Sequence, residues 1–194
     1  MKKQRDNYTF LTHAPVHRVI VSMAVPTIIS MLVTSIYGMV DTYYVGQINT
    51  QSTAAVGISF SIMTIIQAIG FFFGHGSGNY ISRMLGAKRT DEAKYMAATG
   101  LVGSVTFGLA VAVVGLAFLS DICIFLGSTE TILPYTERYL GIILVGAPFM
   151  TGAFTLNNQM RFQGNAKYAM YGILSGVVLN VVPAPILIFS FCLG

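Results

Sequence analysis

The chain has 194 residues, of which 54% are hydrophobic and 9% are charged, with a formal net charge of +4 at pH 7. A soluble domain has roughly 25% charged residues, so this composition excludes an ordinary water-soluble fold. Charged residues are absent from five long stretches, at 19–40, 42–82, 95–120, 139–160 and 168–194. Each can hold a transmembrane helix of about 20 residues. We therefore predict an all-α integral membrane protein with a bundle of about five transmembrane helices.

The predicted elements follow the chain in a simple order. Residues 1–18 form a cytoplasmic N-terminal tail, and residues 19–194 form the transmembrane bundle. The spans are expected near 19–44, 54–78, 95–119, 136–157 and 168–191. The first apolar run is longer than the roughly 7–15 residues of a signal peptide and four more runs follow it. We therefore expect it to be retained as the first span.

Basic residues predict how the bundle is oriented. With a cytoplasmic N-terminus, one side of the membrane receives Lys2, Lys3, Arg5, Arg18, Arg83, Lys88, Arg89, Lys94, Arg161 and Lys167, and the other receives Arg138 alone. Cytoplasmic loops carry an excess of Lys and Arg, so this division predicts a cytoplasmic N-terminus. We expect a multi-pass protein of the cell inner (plasma) membrane. The basic residues are spread over three segments, which argues against a nucleic-acid-binding surface.

Polar side chains recur along the first span. They are spaced by three or four residues and therefore share one helix face: Ser30, Thr34, Tyr37, Asp41 and Tyr44. Lipid offers no hydrogen-bond partners, so this face, which includes Thr34 and Tyr37, is expected to face the bundle interior or a water-filled cavity. Asp41 is an acid in an apolar context and is predicted to exchange a proton or bind a cation. The alternative is an aspartate solvated at the outer membrane surface.

Small residues mark the second span. Gly70, Gly74 and Gly78 are spaced by four, a pattern that lets helices approach closely. The glycines around His75 follow an apolar helix rather than a strand, so a phosphate-binding loop is not expected. His75 has no second ligand at metal-binding spacing, and no metal site is predicted. The two cysteines, Cys123 and Cys192, are expected to serve in packing.

The fifth span carries Asn180 shortly before Pro183 and Pro185. Each proline removes a backbone hydrogen bond and is expected to kink or unwind this end of the helix. Exposed carbonyl groups beside Asn180 would then line an ion or substrate pocket. The alternative is that Asn180 hydrogen-bonds to a neighbouring helix.

Several strings together resemble the multidrug and toxic-compound extrusion (MATE) family, in its DinF-like bacterial branch. They occur in the family's order along nearly the whole chain: Val40-Asp-Thr-Tyr-Tyr-Val-Gly46, Gly76-Ser-Gly-Asn-Tyr-Ile-Ser-Arg83, Leu85-Gly-Ala-Lys88, Asn157-Asn158, Leu179-Asn180 and Pro185-Ile-Leu-Ile188. The resemblance implies the amino-terminal lobe of a twelve-helix transporter.

The resemblance also implies a function. It points to a secondary active transporter that exports lipophilic or cationic drugs by antiport with H+ or Na+, without enzyme activity and without a cofactor other than the coupling ion. Asp41 and Asn180 match the family's cation-site positions, and Tyr37 and Asn157 match cavity-lining positions. The expected partners are membrane lipid, small-molecule substrates and the missing carboxyl-terminal lobe or a second chain.

One departure and two alternatives accompany this hypothesis. The family's span-five pattern has an aspartate where this chain has Ala184, which leaves the coupling ion open. A flippase of lipid-linked precursors is the nearest alternative, although none of the five charge-free runs offers a Lys or Arg for an anionic headgroup. The chain stops at Gly194 directly after the fifth apolar run, so a partial sequence or a non-transporting truncated remnant is the other alternative.

Overall fold

The computed structural model describes residues 14–47 and 50–181, apart from the side chains of Asp41, Val45, Asn180 and Val181. This part of the chain is a bundle of helices: α1 (Val16–Gly46), α2 (Thr50–Gly86), α3 (Thr90–Ala117), α4 (Leu119–Phe125), α5 (Leu133–Phe162) and α6 (Ala166–Val181). The predicted all-α membrane fold is confirmed.

Four of these helices are long and apolar enough to cross a membrane: α1, α2, α3 and α5. The fifth predicted span, 168–191, begins within α6 but runs beyond the described residues. Helix α2 continues to Gly86, past the predicted end at residue 78. Its 37 residues extend about 55 Å, which exceeds a hydrocarbon core of about 30 Å. The predicted span covers the most apolar part of this helix, but the helical backbone hydrogen bonds continue through the polar residues that follow.

Helices α2, α3 and α5 form a closely packed trio. Thr155 and Gln159 of α5 bond to Gly70 and Ser77 of α2, so residue numbers rise together and these two helices run parallel. Helix α3 runs antiparallel to α5, since Gly100 of α3 lies beside Gln159 and Gly115 lies beside Leu144. The core between them holds Ile66 with Ala112 and Ala147. A second buried cluster, where α4 packs on α5, holds Cys123 with Leu140 and Leu144.

The predicted close approach at the α2 glycines is confirmed. A Cβ atom on Gly70 would lie 2.6 Å from Cβ of Phe154, and one on Gly74 would lie 2.8 Å from Cβ of Asn158. A side chain on Gly78 would collide with the ring of Phe162. At each glycine, one side chain of α5 therefore packs directly against the α2 backbone.

Helix α1 belongs to a second group. It packs mainly against α6, while its contacts with α2 are fewer, and α6 also touches α5. Pro26 lies inside α1, and the hydroxyl of Ser30, one turn later, donates to its carbonyl oxygen at 2.8 Å. A Cβ atom on Gly46, the last residue of α1, would lie 4.0 Å from Oγ1 of Thr53, so α2 begins beside the end of α1.

Three helix ends close with the same hydrogen-bond pattern. After α2, α4 and α5 a residue with positive φ follows the helix: Lys88 (60°), Gly127 (98°) and Gly164 (78°). After α5, Asn165 N–H donates to Met160 O at 3.0 Å and Gly164 N–H donates to Arg161 O at 3.0 Å. This pair of hydrogen bonds satisfies the last carbonyl groups and stops the helix sharply. Tight turns result, which fold α3 and α6 back along the bundle.

The short helix α4 covers the end of the bundle opposite the α2–α3 and α5–α6 turns. Helical structure is interrupted at Phe118 and begins again in α4 (Leu119–Phe125). Cys123, within α4, is fully buried. The hydroxyl of Ser120 donates to Oε1 of Glu137 at 2.5 Å, which ties α4 to α5. Burial raises the pKa of the Cys123 thiol above its ordinary value, and the negative charge of Glu137 raises it further.

Replacing Gly74 with alanine should destabilise the protein. The added methyl group meets Asn158 Cβ at 2.8 Å and the Cα atom of Thr155 at 3.3 Å, and backbone cannot move aside cheaply. Overpacking of this kind costs about 1–3 kcal/mol. Thermal unfolding of the detergent-solubilised protein is the measurement.

The matched control for that substitution is Gly76→Ala. Gly76 lies on the same helix, and a methyl group added to it would meet no neighbouring atom within 4 Å. Alanine there should instead stabilise the helix by about 1 kcal/mol through its higher helix propensity. Equal unfolding temperatures for the two variants would contradict the close α2–α5 approach.

Cys123 should resist alkylation. Its burial blocks access, and its raised pKa means that less of the reactive thiolate is present at neutral pH. In a Cys192→Ala background we expect maleimide to react at pH 7 at least about tenfold more slowly with Cys123 than with Glu130→Cys, an exposed position near α4. Mass spectrometry over time measures both rates, and equal rates would show that α4 does not cover the thiol.

Candidate functional site

The two predicted coupling residues lie on helices that pack against each other. The backbone of Asp41 belongs to α1 and that of Asn180 to α6, and these two helices are neighbours. Both side chains lie outside the described part of the structure, as do Pro183, Ala184 and Pro185. Their role in a cation site stays a prediction.

The serine and threonine hydroxyls of the α1 stripe bond to their own helix. Ser30 is buried and donates to Pro26 O at 2.8 Å, and Thr34 donates to Ser30 O at 2.8 Å. These bonds satisfy the hydroxyl protons without water or a neighbouring helix. Thr34 is otherwise exposed on the bundle surface, and Tyr37, one turn later, is half-buried. Their contact with substrate stays a prediction.

Asn157 connects helices α5 and α6. Its Nδ2 donates to Ala169 O at 3.1 Å, and its Oδ1 accepts a bond from Nε of Arg161 at 3.0 Å. It lies five residues before the end of α5, near the turn that carries Gly164. The backbone of Asp41 lies five residues before Gly46, the end of α1 beside which α2 begins. Because α2 and α5 run parallel, these two predicted site residues lie toward opposite ends of the bundle. The described contacts of Asn157 link α5 to α6 by a hydrogen bond. Its predicted contact with substrate in a cavity stays a prediction.

A buried polar layer joins α2, α3 and α5, and the sequence did not predict it. Gln159 is 2% exposed, and its Nε2 donates to Ser77 Oγ at 2.9 Å and to Ala97 O at 3.2 Å. Thr155 donates to Gly70 O at 3.1 Å. Because the nearby glycines lack side chains, these carbonyl and hydroxyl groups come within bonding distance. The sequence signal that could have indicated this layer is the run of three amide side chains, Asn157, Asn158 and Gln159, near the end of a predicted span.

The ends of the bundle differ in charge. The end with the α2–α3 and α5–α6 turns, here called the basic end, carries the following described basic residues: Arg18, Arg83, Lys88, Arg89, Lys94, Arg161 and Lys167. Arg138 lies at the other end, in the first turns of α5. Exposed ion pairs between Arg89 and Glu92, and between Lys94 and Asp91 at 2.9 Å, offset part of this charge.

The described bundle offers polar groups that can bind a small molecule. Among residues 14–47 and 50–181, no group of three or more His, Cys, Asp or Glu side chains is placed to hold a metal ion. Polar side chains within the four candidate spans include hydroxyls, amides and the imidazole of His75. Such groups can recognise and guide a small molecule by hydrogen bonds and ring contacts.

Comparison with known proteins gives the same family as the sequence motifs. The multidrug export protein MepA of Staphylococcus aureus (strain MRSA252) is 36% identical over 141 residues, which is 73% of this chain and 31% of MepA. This chain thus spans about a third of the length of that relative. The matched proteins are named as exporters and transporters, which confirms that the chain is not an enzyme.

Solved structures share the fold over nearly the whole chain. The crystal structure of a MATE protein in the bent conformation superposes with a TM-score of 0.87 at 26% identity, covering 95% of this chain and 41% of that one. A MATE protein in complex with MaD3S superposes with a TM-score of 0.85 at 27% identity, covering 91% and 40%. The family profile MatE matches residues 26–186. Motifs, helix order and these similarities agree, and this membrane protein belongs to the MatE family.

Proposed function

We propose that this chain is the amino-terminal lobe of a secondary active transporter that exports lipophilic or cationic drugs in exchange for H+ or Na+. The observation that carries the proposal is the 36% identity to a protein named as a multidrug exporter, over 73% of this chain. The family match over residues 26–186 supports it independently.

A second lobe is part of the proposal. The chain covers 31% of MepA and about two fifths of the solved MATE chains. The exposed surface of α2 carries His75 and Asn79, whose imidazole and amide are costly against lipid and favourable against water or protein. We therefore expect the carboxyl-terminal lobe, from the same polypeptide or another chain, to face this bundle across the transport path, with lipid around the outside.

Coupling is assigned to Asp41, with Asn180 as its neighbour on the adjacent helix. Helices α1 and α6 pack together, which supports a shared site. Ala184 supplies no second carboxylate, and Na+ prefers several hard oxygen ligands. Proton exchange needs a single carboxylate, so H+ is favoured over Na+ as the coupling ion. Thr34, Tyr37 and Asn157 remain the proposed contacts for substrate.

We place the protein in the inner (plasma) membrane of the cell. In the proposed orientation, the basic end faces the cytoplasm. Seven described basic residues lie at that end and Arg138 lies at the other. The positive-inside rule then gives a cytoplasmic N-terminus.

Asp41→Asn should abolish coupled export. The complete gene product is reconstituted in proteoliposomes, and ethidium movement is followed by fluorescence while a proton or a sodium gradient is imposed separately. We expect export with the proton gradient alone, and the variant should fall to the level of protein-free liposomes because its amide cannot ionise.

Asp121→Asn is the control for that measurement, since Asp121 is an exposed acid on α4, outside the four candidate spans. Its export should equal that of the wild type. Export driven by sodium alone would contradict the preference for protons, and unchanged export in Asp41→Asn would contradict coupling through this lobe.

Cysteine labelling tests the orientation. In a variant whose native cysteines are replaced by alanine, Lys88→Cys lies at the exposed basic end and Glu130→Cys lies at the exposed opposite end. A membrane-impermeant maleimide added to intact cells should label Glu130→Cys but not Lys88→Cys. The reverse pattern would mean that the N-terminus is external.

A further inference from the structure

A row of four rings crosses from α5 to α2 and back on the bundle surface. Phe154 meets Phe71 with ring centroids 5.7 Å apart, Phe71 meets His75 at 5.6 Å, and His75 meets Phe162 at 5.6 Å. All three contacts are edge-to-face, with interplanar angles of 65°, 84° and 81°. We call Phe154, Phe71, His75 and Phe162 the aromatic row.

Two glycines position the α5 rings of this row. Gly70 has no side chain where Phe154 lies, and Gly78 has none where the ring of Phe162 lies. The rings therefore rest on the α2 backbone beside Phe71 and His75. The same glycines fix the α2–α5 distance, so the row is held by the most tightly packed part of the bundle.

The imidazole of His75 presents a free acceptor. Its Nδ1 lies 2.9 Å from Phe71 O, and a carbonyl oxygen only accepts hydrogen bonds, so Nδ1 carries the proton. In the neutral ring Nε2 is then an acceptor, and the described residues offer it no hydrogen-bond donor. The side chain is exposed, seven residues inside the charge-free run that ends at Ser82. This places it about 10 Å into the apolar segment, where an imidazole facing lipid would be costly.

The surroundings of the row favour a cation. His75 lies on a polar face of α2, defined by Ser61, Thr64, His75, Asn79 and Ser82, which are all exposed. The charge-free run 42–82 supplies no Lys or Arg to this face, and Arg83 follows one turn beyond Asn79. Aromatic ring faces carry partial negative charge and attract cations within about 6 Å of the ring centre. The neutral Nε2 acts in the same direction, because it accepts a hydrogen bond from an ammonium or amine group.

We propose that the aromatic row is a binding site for planar aromatic cations along the transport path. The rings of Phe71 and Phe162 stack against the ligand, and His75 Nε2 accepts a hydrogen bond from its amino group. This site rests on the proposed export function for its biological use, but it is separate from the coupling residues. It assigns a substrate contact to α2 and α5 in addition to the proposed contacts on the α1 stripe.

Binding without any gradient tests the site. Ethidium, a planar cation with amino groups, is titrated against the detergent-solubilised complete protein and followed by fluorescence anisotropy. Phe162→Leu keeps the apolar volume but removes the ring, and His75→Phe keeps the ring but removes Nε2. We expect each variant to weaken ethidium binding by roughly threefold to thirtyfold.

Phe149→Leu is the matched control. Phe149 lies on the same helix as Phe162, is 80% exposed, and has no ring partner among the described residues. Its ethidium affinity should be unchanged. A neutral aromatic probe, N-phenyl-1-naphthylamine, should lose less affinity than ethidium in Phe162→Leu, because it gains nothing from cation–π attraction. Thermal unfolding of each variant shows that the fold is retained.

Each outcome bears on one proposal. Unchanged ethidium affinity in both Phe162→Leu and His75→Phe, or equal losses for the neutral and cationic probes, would overturn the cation site. Wild-type ethidium binding with no gradient-driven export by the complete protein would instead contradict the proposed function and leave the aromatic row as a binding site.

Discussion

The close approach of α2 to α5 is the contact on which the rest of the bundle depends. Lipid tails are as apolar as the side chains that face them, so burial of apolar surface gives little drive for helices to associate within a membrane. Close van der Waals packing and hydrogen bonds between helices must supply it. Gly70, Gly74 and Gly78 permit both, because a Cβ at any of them would meet α5. The bond from Thr155 to Gly70 O at 3.1 Å exists only at this distance.

Helix α3 extends the same mechanism to the third member of the trio. Gly100 meets Ser77 of α2, Gly108 meets Pro148 and Thr151 of α5, and Gly115 meets Leu144. With Ser104 and Ala112, which are also buried, small residues recur about every four positions along this helix. Gln159 then bonds to both partners of α5 at once. The pair α1 and α6 is joined to this trio by a different kind of contact, the amide of Asn157.

Much of the fold was predictable because membrane helices are marked by composition. Four of the five apolar runs coincide with helices long enough to span a membrane, and glycine spacing located the face of α2 that meets α5. The sequence did not reveal α4, since the apolar run continues across the break at Phe118 and only the following Ser120 and Asp121 signal a change. It also missed Gln159 and the aromatic row, because which faces of two helices meet depends on packing that spacing within one helix does not specify. The interhelical bond of Asn157 was hidden for the same reason.

The hydrogen bonds within the helices change how polar residues in a span should be interpreted. Hydroxyls on several helices donate to the carbonyl four residues earlier, as Thr34, Thr64 and Thr106 do. Ser and Thr can therefore face lipid at little cost, and their spacing along α1 is weak support for a cavity. Larger polar groups differ, since their own helix cannot satisfy every atom. Gln159 turns inward and bonds to two helices, whereas His75 bonds through Nδ1 and leaves Nε2 exposed. Carboxylates, amides and imidazoles, rather than hydroxyls, are thus the side chains that indicate where a membrane bundle meets water, substrate or another lobe.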